Sequence, residues 1–279
     1  RGFHGRTMGA LATTWKDKYK QPFEPLAGGV EFVPYGDGEE LRDAVDDETA
    51  AVILEPIVHN MGCVLPRDGY LQGLRELCDE HGSMLIFDEI ITGFRHAMGG
   101  VQDIEGVTPD LTTLGKGIAN GYPISVLCGK AEYMEQFTTA GGDVAFGGTY
   151  NAHASSLAAA RATLEILERD DIHDETADRC RRIADGISDH VDDLGLDAHV
   201  KQYGSTFLTY FAEPPVEDHS DVLRNGTELY RRYRWEMVDR GVLMVPKDVR
   251  RNYLTASHTD EDVRRTIETA GAALRSVLK

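Results

Sequence analysis

Lys116 is the residue of this sequence best suited to covalent chemistry. It lies in the glycine-rich stretch Thr112 to Gly121 (TTLGKGIANG), directly after a short apolar run. A lysine amine that is shielded from water has a lowered pKa and can form an imine with a carbonyl group. Without further context, a surface lysine in a turn would give the same pattern, because most lysines are exposed.

Two phosphate-binding motifs do not fit this stretch. A P-loop requires G-x-x-x-x-G-K-[ST], but Asp110 stands at the first glycine and Gly117 at the position of the Ser or Thr. A dinucleotide-binding fingerprint requires G-x-G-x-x-G, and the third glycine here comes one residue late, at Gly121. The stretch therefore does not indicate a nucleotide site.

Asp88 supplies a second chemical group. It follows the apolar run Ser83 to Phe87 (SMLIF), 28 residues before Lys116, and Glu89 comes directly after it. Two carboxylates at the end of a buried strand are costly unless they have partners. A lysine and an aspartate in a dry cleft are the pair that pyridoxal phosphate catalysis requires: the lysine holds the aldehyde, and the aspartate keeps the pyridine nitrogen protonated.

The elements around these residues predict a parallel sheet. Two strands, Ala51 to Glu55 and Ser83 to Phe87, flank a helix at Gly69 to His81, which makes a βαβ unit. Further strands are predicted at Leu111 to Leu114 and Ile124 to Cys128. Ligands of such sheets bind beyond the carboxyl ends of the strands. We therefore expect Glu55, Asp88 and Lys116 to lie at one edge.

The second half of the chain has a different pattern. Helices are predicted at Ser155 to Arg169, Glu175 to Leu194, Asp221 to Arg240 and from the Thr259 cap to Val277, with short strands at Val200 to Tyr203, Phe207 to Phe211 and Val242 to Val245. The predicted organisation is a large α/β domain over residues 1–165 and a smaller α+β domain over residues 166–279.

Composition narrows the class of protein. The 279 residues are 41% hydrophobic and carry a net charge of −18, which argues against a nucleic-acid partner. No apolar run approaches the ~20 residues of a membrane-spanning helix. The four cysteines form no CxxC pair, so we expect reduced thiols, a cytoplasmic location and no metal site. The dispersed acidic surface, with 8 Lys against 21 Arg, favours adaptation to high salt over ordinary acidic solubilisation.

Two motifs carry a resemblance to a known family. Phe87 to Arg95 (FDEIITGFR) and Pro109 to Lys116 (PDLTTLGK) resemble the class III aminotransferases, which are fold-type I enzymes dependent on pyridoxal 5'-phosphate. The resemblance extends from Phe3 to Asp262. It implies an α/β fold with a large, mostly parallel sheet, and transfer of an amino group between a small-molecule amino donor and a keto or aldehyde acceptor.

The resemblance also implies roles for individual residues. Lys116 would carry the cofactor as an aldimine and move the proton, and Asp88 would pair with the pyridinium nitrogen. The other implied cofactor contacts are Phe3 and Ile90 on the two ring faces, His4, Glu55, and Thr149 at the phosphate of a neighbouring subunit. This last role implies a homodimer with shared active sites.

The reaction within the family stays open between two subfamilies. Glu55 to Gly62 (EPIVHNMG) and Tyr253 to Asp262 resemble glutamate-1-semialdehyde 2,1-aminomutase, whereas His4 to Leu11 resembles acetylornithine- and ornithine-type aminotransferases. Transamination is the first prediction and the aminomutase reaction the second. Asn60, at a position where ω-aminotransferases often have a glutamate, is one candidate substrate residue. Arg250 is another, because an arginine suits a bidentate carboxylate contact; a solvated basic patch at Arg250-Arg251 is the alternative.

The start of the sequence raises a further alternative. The chain begins at Arg1 without Met, inside a motif, and the family's N-terminal segment, which supplies part of the phosphate site, is absent from it. We expect a fragment of a longer enzyme. A truncated, inactive chain that acts at most as a binding partner is the competing hypothesis from a different class.

Overall fold

The computed structural model describes residues 2–278 of the chain. Its described residues form two compact units, one made of residues 2–57 and 66–170 and the other of residues 58–65 and 171–278. The predicted domain boundary, between residues 165 and 166, falls inside the last helix of the first unit. The division into two domains with that boundary stays a prediction.

The first unit contains seven helices and four strands in the described part of the chain. The helices are α1 (Met8–Ala12), α2 (Asp17–Lys20), α3 (Gly38–Ala44), α4 (Tyr70–His81), α5 (Gly100–Glu105), α6 (Ala131–Met134) and α7 (Ala154–Arg169), and the strands are β1 (Ala51–Leu54), β2 (Met84–Asp88), β3 (Leu111–Leu114) and β4 (Val126–Gly129). Short 3-10 turns occur at Gln21–Phe23, Lys116–Ala119 and Thr138–Ala140.

The sheet of the first unit is mostly parallel, in the order β1-β2-β3-β4. β1, β2 and β3 run parallel, with Leu54 opposite Phe87 and Asp88 opposite Thr113, and β4 joins antiparallel at the edge. α4 connects β1 to β2 and buries Leu71, so the predicted βαβ unit is confirmed. Leu71 of α4 and Phe87 of β2 are among the largest fully buried side chains.

The second unit packs helices on a small antiparallel sheet. Its elements are the 3-10 turn His59–Met61, helices α8 (Ile172–Asp193), α9 (His219–Leu223), α10 (Thr227–Asp239) and α11 (Asp260–Val277), and strands β5 (His199–Tyr203), β6 (Thr206–Tyr210) and β7 (Asn252–Tyr253) in the order β5-β6-β7. Ile187, Tyr233 and Leu274 meet in its core. The Thr259 side chain accepts from Asp262 N in a capping box, which confirms the predicted start of α11.

Two predicted elements of the second unit are wrong. Residues 242–245 form no strand; the backbone N–H of Val245 donates to Asn252 Oδ1 at 3.0 Å, and the third strand is Asn252–Tyr253. The helix predicted over 221–240 is broken into α9 and α10. Asn225 Oδ1 accepts from Phe211 N, and Gly226 N donates to Phe211 O, both at 2.9 Å, so this part of the chain caps the end of β6 instead of continuing a helix.

The four cysteines are all present as thiols in the structure. Cys63 and Cys180 are buried, and desolvation raises the pKa of Cys63 to about 11 and that of Cys180 to about 12. Such thiols are inert at neutral pH, because the thiolate is the reactive form. Among the described residues, no helix is both long and apolar enough to cross a bilayer.

Candidate active site

Asp88 ends β2 and is 6% exposed. Its Oδ2 lies 2.7 Å from His4 Nδ1, while Oδ1 accepts hydrogen bonds from Ile90 N at 3.1 Å and from Thr113 Oγ1 at 3.3 Å. A carboxylate offers about four acceptor positions. Among residues 2–278, these three groups are the ones that reach Asp88, so one position, on Oδ2, remains open to a further donor.

The N-terminal segment that carries His4 is fixed by its backbone. His4 N donates to Thr14 Oγ1 at 3.1 Å, and Thr14 is fully buried. Phe3 N donates to Glu55 Oε1 at 3.4 Å, and Glu55 directly follows β1. The ring of Phe3 meets Tyr19 edge-on, with centroids 6.1 Å apart. Phe3, His4, Glu55 and Asp88 thus gather at the carboxyl edge of the sheet, where the strand pattern predicted a site for Glu55 and Asp88.

Lys116 follows β3 at the same edge. It begins a 3-10 turn with φ +43°, a left-handed conformation that non-glycine residues rarely adopt. A Cβ placed on Gly115 would lie 3.1 Å from Ile90 Cδ1, so glycine allows the loop after Asp88 to approach the backbone beside Lys116. In the described chain Lys116 is an exposed residue, and its role toward a cofactor stays a prediction.

Thr149 lies outside this network. It belongs to an exposed turn in which Asn151 N donates to Gly148 O at 3.0 Å. The aromatic residues on either side are also exposed, Phe146 by 54% and Tyr150 by 84%. A role for Thr149 at a neighbouring subunit stays a prediction.

The two candidate substrate residues belong to the second unit and contact each other there. Arg250 Nη1 donates to Asn60 Oδ1 at 2.5 Å. Gly62 N donates to Val249 O at 3.0 Å, and Arg251 Nη1 donates to His59 O at 2.8 Å, so the turn at His59–Met61 is tied to residues 249–251. Arg250 is therefore a paired side chain in this structure, and its role toward a substrate stays a prediction.

A second buried carboxylate, Asp110, lies at the opposite end of β3. Its oxygens accept from Lys130 Nζ at 2.5 Å, from Leu85 N at 2.7 Å and from Arg75 Nη1 at 2.8 Å. Desolvation would raise the pKa of Asp110, but these hydrogen bonds outweigh it and hold the pKa below its usual value. Asp110 stabilises the start of the strand and takes no part in the cluster around Asp88.

Sequence reasoning missed the residues that support Asp88. Thr113 stands opposite Asp88 in the parallel register, and Thr14 holds the backbone of His4. The position of Thr113, three residues before Lys116, was a usable signal, because two neighbouring parallel strands bring equivalent residues side by side. Thr14 gives no such signal, since the contact depends on how the N-terminal segment folds back. The described residues hold no group of three or more His, Cys, Asp or Glu that could bind a metal ion.

Comparison with known proteins defines the class. Residues 1–248 match the family described as Aminotransferase class-III. Over 276 residues, the chain is 42% identical to glutamate-1-semialdehyde 2,1-aminomutase of Methanothrix thermoacetophila, covering 96% of the chain and 63% of that protein. It is 38% identical over 250 residues to glutamate-1-semialdehyde 2,1-aminomutase 2 of Brevibacillus brevis, covering 88% and 58%.

Solved structures agree with this result. An omega-transaminase from Sphaerobacter thermophilus superposes with a TM-score of 0.78 at 28% identity, covering 86% of the chain and 54% of that structure. The FumI protein of a Sphingopyxis species, solved in a PLP form, superposes with a TM-score of 0.79 at 25% identity, covering 99% and 63%. The chain belongs to the class III aminotransferase family, as its motifs predicted, and has the α/β fold of these enzymes. It spans about three fifths of the length of the two curated relatives.

Proposed function

We propose that this chain takes part in amino-group transfer with pyridoxal 5'-phosphate as cofactor. The observation that carries the proposal is the Asp88 carboxylate, buried at the carboxyl end of β2 with one acceptor position left on Oδ2, at the same sheet edge as Lys116. Membership of the class III family supports it, as does the PLP form of the Sphingopyxis relative.

The residues at this edge fit the cofactor. The open position on Asp88 Oδ2 suits the protonated ring nitrogen, and the amine of Lys116, which is an exposed residue, suits the aldehyde. Phe3 and Ile90 offer apolar groups for the two faces of the ring, with Glu55 beside Phe3. When bound, pyridoxal phosphate supplies an electron sink for the negative charge that develops at the substrate carbon.

Each residue of the chain at this edge would then have its own role. The negative charge of Asp88 keeps the ring nitrogen protonated, and His4, within hydrogen-bond distance of Oδ2, orients the carboxylate. Thr113 and the amide of Ile90 hold the other oxygen. Lys116 Nζ would hold the aldehyde group of the cofactor, and as a free amine it would act as the base that takes the proton from the substrate carbon and as the acid that gives it back.

Two reactions share these residues. Transamination needs an amino donor and a separate acceptor, whereas an aminomutase moves the amino group within one molecule. The two relatives that are glutamate-1-semialdehyde 2,1-aminomutases favour the aminomutase reaction, and the likeness to an omega-transaminase favours transamination. We propose Asn60 and Arg250 as substrate contacts for either reaction. Turnover of a single amino substrate without any added acceptor distinguishes the two.

The first prediction tests the cofactor itself. Incubation of the chain with pyridoxal phosphate, followed by borohydride reduction and peptide mapping, is expected to give one stoichiometric adduct, on Lys116. The other seven lysines should stay unmodified, and Lys116→Arg should give no adduct, because a guanidinium does not form the reducible bond. An adduct spread over several lysines would contradict the proposal. The absence of any adduct would favour the alternative, a chain without catalysis.

A second prediction concerns assembly and salt. We infer a homodimer in the cytoplasm of a salt-adapted cell, with Thr149 of one subunit near the cofactor phosphate of the other. The exposed side chains of Phe146 and Tyr150 support a protein interface, and the net charge of −18 supports a requirement for screening. Sedimentation equilibrium in molar salt should give twice the monomer mass, with dissociation at low salt. A monomer at every salt concentration would exclude the homodimer. A dimer that is equally stable at low and high salt would exclude the proposed adaptation to high salt.

A further inference from the structure

Glu89 is a buried carboxylate that the proposed chemistry does not use. It follows Asp88 directly and is 0% exposed. Oε2 accepts from Thr92 Oγ1 and from Val101 N, both at 2.8 Å, and Oε1 accepts from Gln102 N at 3.2 Å and Gln102 Nε2 at 3.1 Å. These four bonds fill the acceptor positions of a carboxylate. In the described chain no lysine or arginine forms an ion pair with it.

The donors to Glu89 lie within the loop formed by residues 90–99 and directly after it. Thr92 is in the loop, whereas Val101 and Gln102 are in the first turn of α5, so the carboxylate fastens the two ends of the loop together. The Glu89 carboxylate packs closely against the backbone of Gly100. Gly100 has φ +73°, and a Cβ built there would lie 2.5 Å from Glu89 Oε2. A side chain at this position would displace the carboxylate.

The same loop packs against the turn that carries Lys116. A Cβ on Gly93 would lie 2.4 Å from Leu114 Cδ2, and a Cβ on Gly115 would lie 3.1 Å from Ile90 Cδ1. On the other side of Lys116, a Cβ on Gly117 would lie 3.7 Å from the carbonyl oxygen of Gly93. Ile90 therefore lies close enough to Gly115 to disfavour a side chain there, and Gly93 lies near Gly117, so loop residues are neighbours of the backbone on both sides of Lys116.

Lys116 needs this support because its backbone is strained. A non-glycine residue at φ +43° costs free energy and persists only where its surroundings determine its conformation. Gly115 and Gly117 are flexible on their own, so they do not hold Lys116 in place. The contacts from the loop restrict them, and the four hydrogen bonds to Glu89 restrict the loop.

We propose that Glu89 is a positioning residue that sets the backbone, and so the amine, of Lys116 through the 90–95 part of the loop. The inference rests on the proposed role of Lys116. The two neighbouring carboxylates then have different roles: Asp88 contacts the cofactor, whereas Glu89 points away from it and positions the turn that carries Lys116.

The test uses the cofactor-free chain, so that it does not depend on activity. In Glu89→Gln the amide NH2 must point at one of the backbone N–H donors, which loses at least one bond and leaves a buried donor unpaired. Hydrogen exchange at the amides of Ile118 and Asn120, which close the Lys116 turn, should become about tenfold faster or more. Labelling of Lys116 by trinitrobenzenesulfonate should change at least about threefold, while labelling of Lys247 should not.

Matched variants separate positioning from general destabilisation. Asp110→Asn removes the charge of another buried carboxylate at the far end of β3, and it should leave Lys116 labelling unchanged at equal loss of stability. Thr92→Val removes one of the four bonds and should show the Glu89→Gln effect to a smaller extent. Thr92→Ser keeps the hydroxyl and should behave like the parent. The proposal is overturned if Glu89→Gln changes Lys116 no more than Asp110→Asn does, or if Thr92→Val and Thr92→Ser behave alike. Reductive trapping on a lysine other than Lys116 would instead overturn the proposed function.

Discussion

Replacing Lys116 with alanine is expected to abolish amino transfer by the assembled enzyme. Proton transfer by a positioned side chain alone contributes about 10²- to 10⁴-fold, and the variant also loses the covalent attachment of the cofactor. We therefore expect turnover to fall by at least about 10⁴-fold. The measurement is the initial rate of amino transfer at saturating cofactor, compared with Lys116→Arg, which keeps the charge and should be equally inactive.

The stability of these variants should not follow their activity. Lys116 has φ +43°, and alanine is as strained there as lysine, so Lys116→Ala should unfold at about the same denaturant concentration. Glycine adopts this conformation without a Cβ clash, so Lys116→Gly should be stabilised by about 1 kcal/mol relative to Lys116→Ala while remaining inactive. The strained lysine would then lower the stability of the protein but be required for its activity.

A control on another lysine tests whether the loss is specific. Lys130 pairs with Asp110 at the start of β3, and its pKa is raised by that hydrogen bond. Lys130→Ala should lower stability slightly and leave turnover per folded molecule close to that of the parent. If Lys116→Ala keeps more than a small fraction of the parental rate, the assignment of Lys116 is wrong.

The elements of the first unit could be read from the sequence because their signals are local. Apolar runs bounded by glycine or by carboxylates predicted β1, β2 and β3 to within a residue or two, and leucine spacing predicted α4. The second unit was harder. The strand predicted at 242–245 has a suitable composition, but the backbone N–H of Val245 donates to the Asn252 side chain. Residues 252–253 pair with β6 instead.

The site could be predicted in part, because the strand pattern fixes which residues share one edge of the sheet. The carboxyl-edge rule brought Glu55 and Asp88 to one place, and the structure adds His4 to them. What sequence could not supply is the set of supporting bonds. Glu89 is fastened by groups 12 and 13 residues further along the chain, and His4 reaches Asp88 across 84 residues, so both depend on tertiary packing.

Asp88→Asn is the second variant for which a large loss is expected. Ile90 N and Thr113 Oγ1 both donate to Oδ1, so the amide oxygen of asparagine will occupy that position to keep both bonds. The NH2 group then lies at the Oδ2 position, where it faces His4 Nδ1 and the remaining open site. His4 can adapt by accepting through Nδ1, because neutral imidazole has one donor and one acceptor nitrogen.

The cofactor has no comparable adjustment without losing its function. An NH2 group at this position offers a donor where the ring nitrogen also needs to donate, so the ring binds with that nitrogen unprotonated and withdraws electrons poorly. We expect turnover to fall by about 10²- to 10⁴-fold, whereas Asp110→Asn should change it little per folded molecule. The measurement compares turnover of the two variants with the fraction trapped by borohydride on Lys116. Normal trapping with much slower turnover would locate the defect in electron withdrawal. Turnover within about tenfold of the parent would remove Asp88 from that role, because the charge at Oδ2 would then not be what drives the reaction.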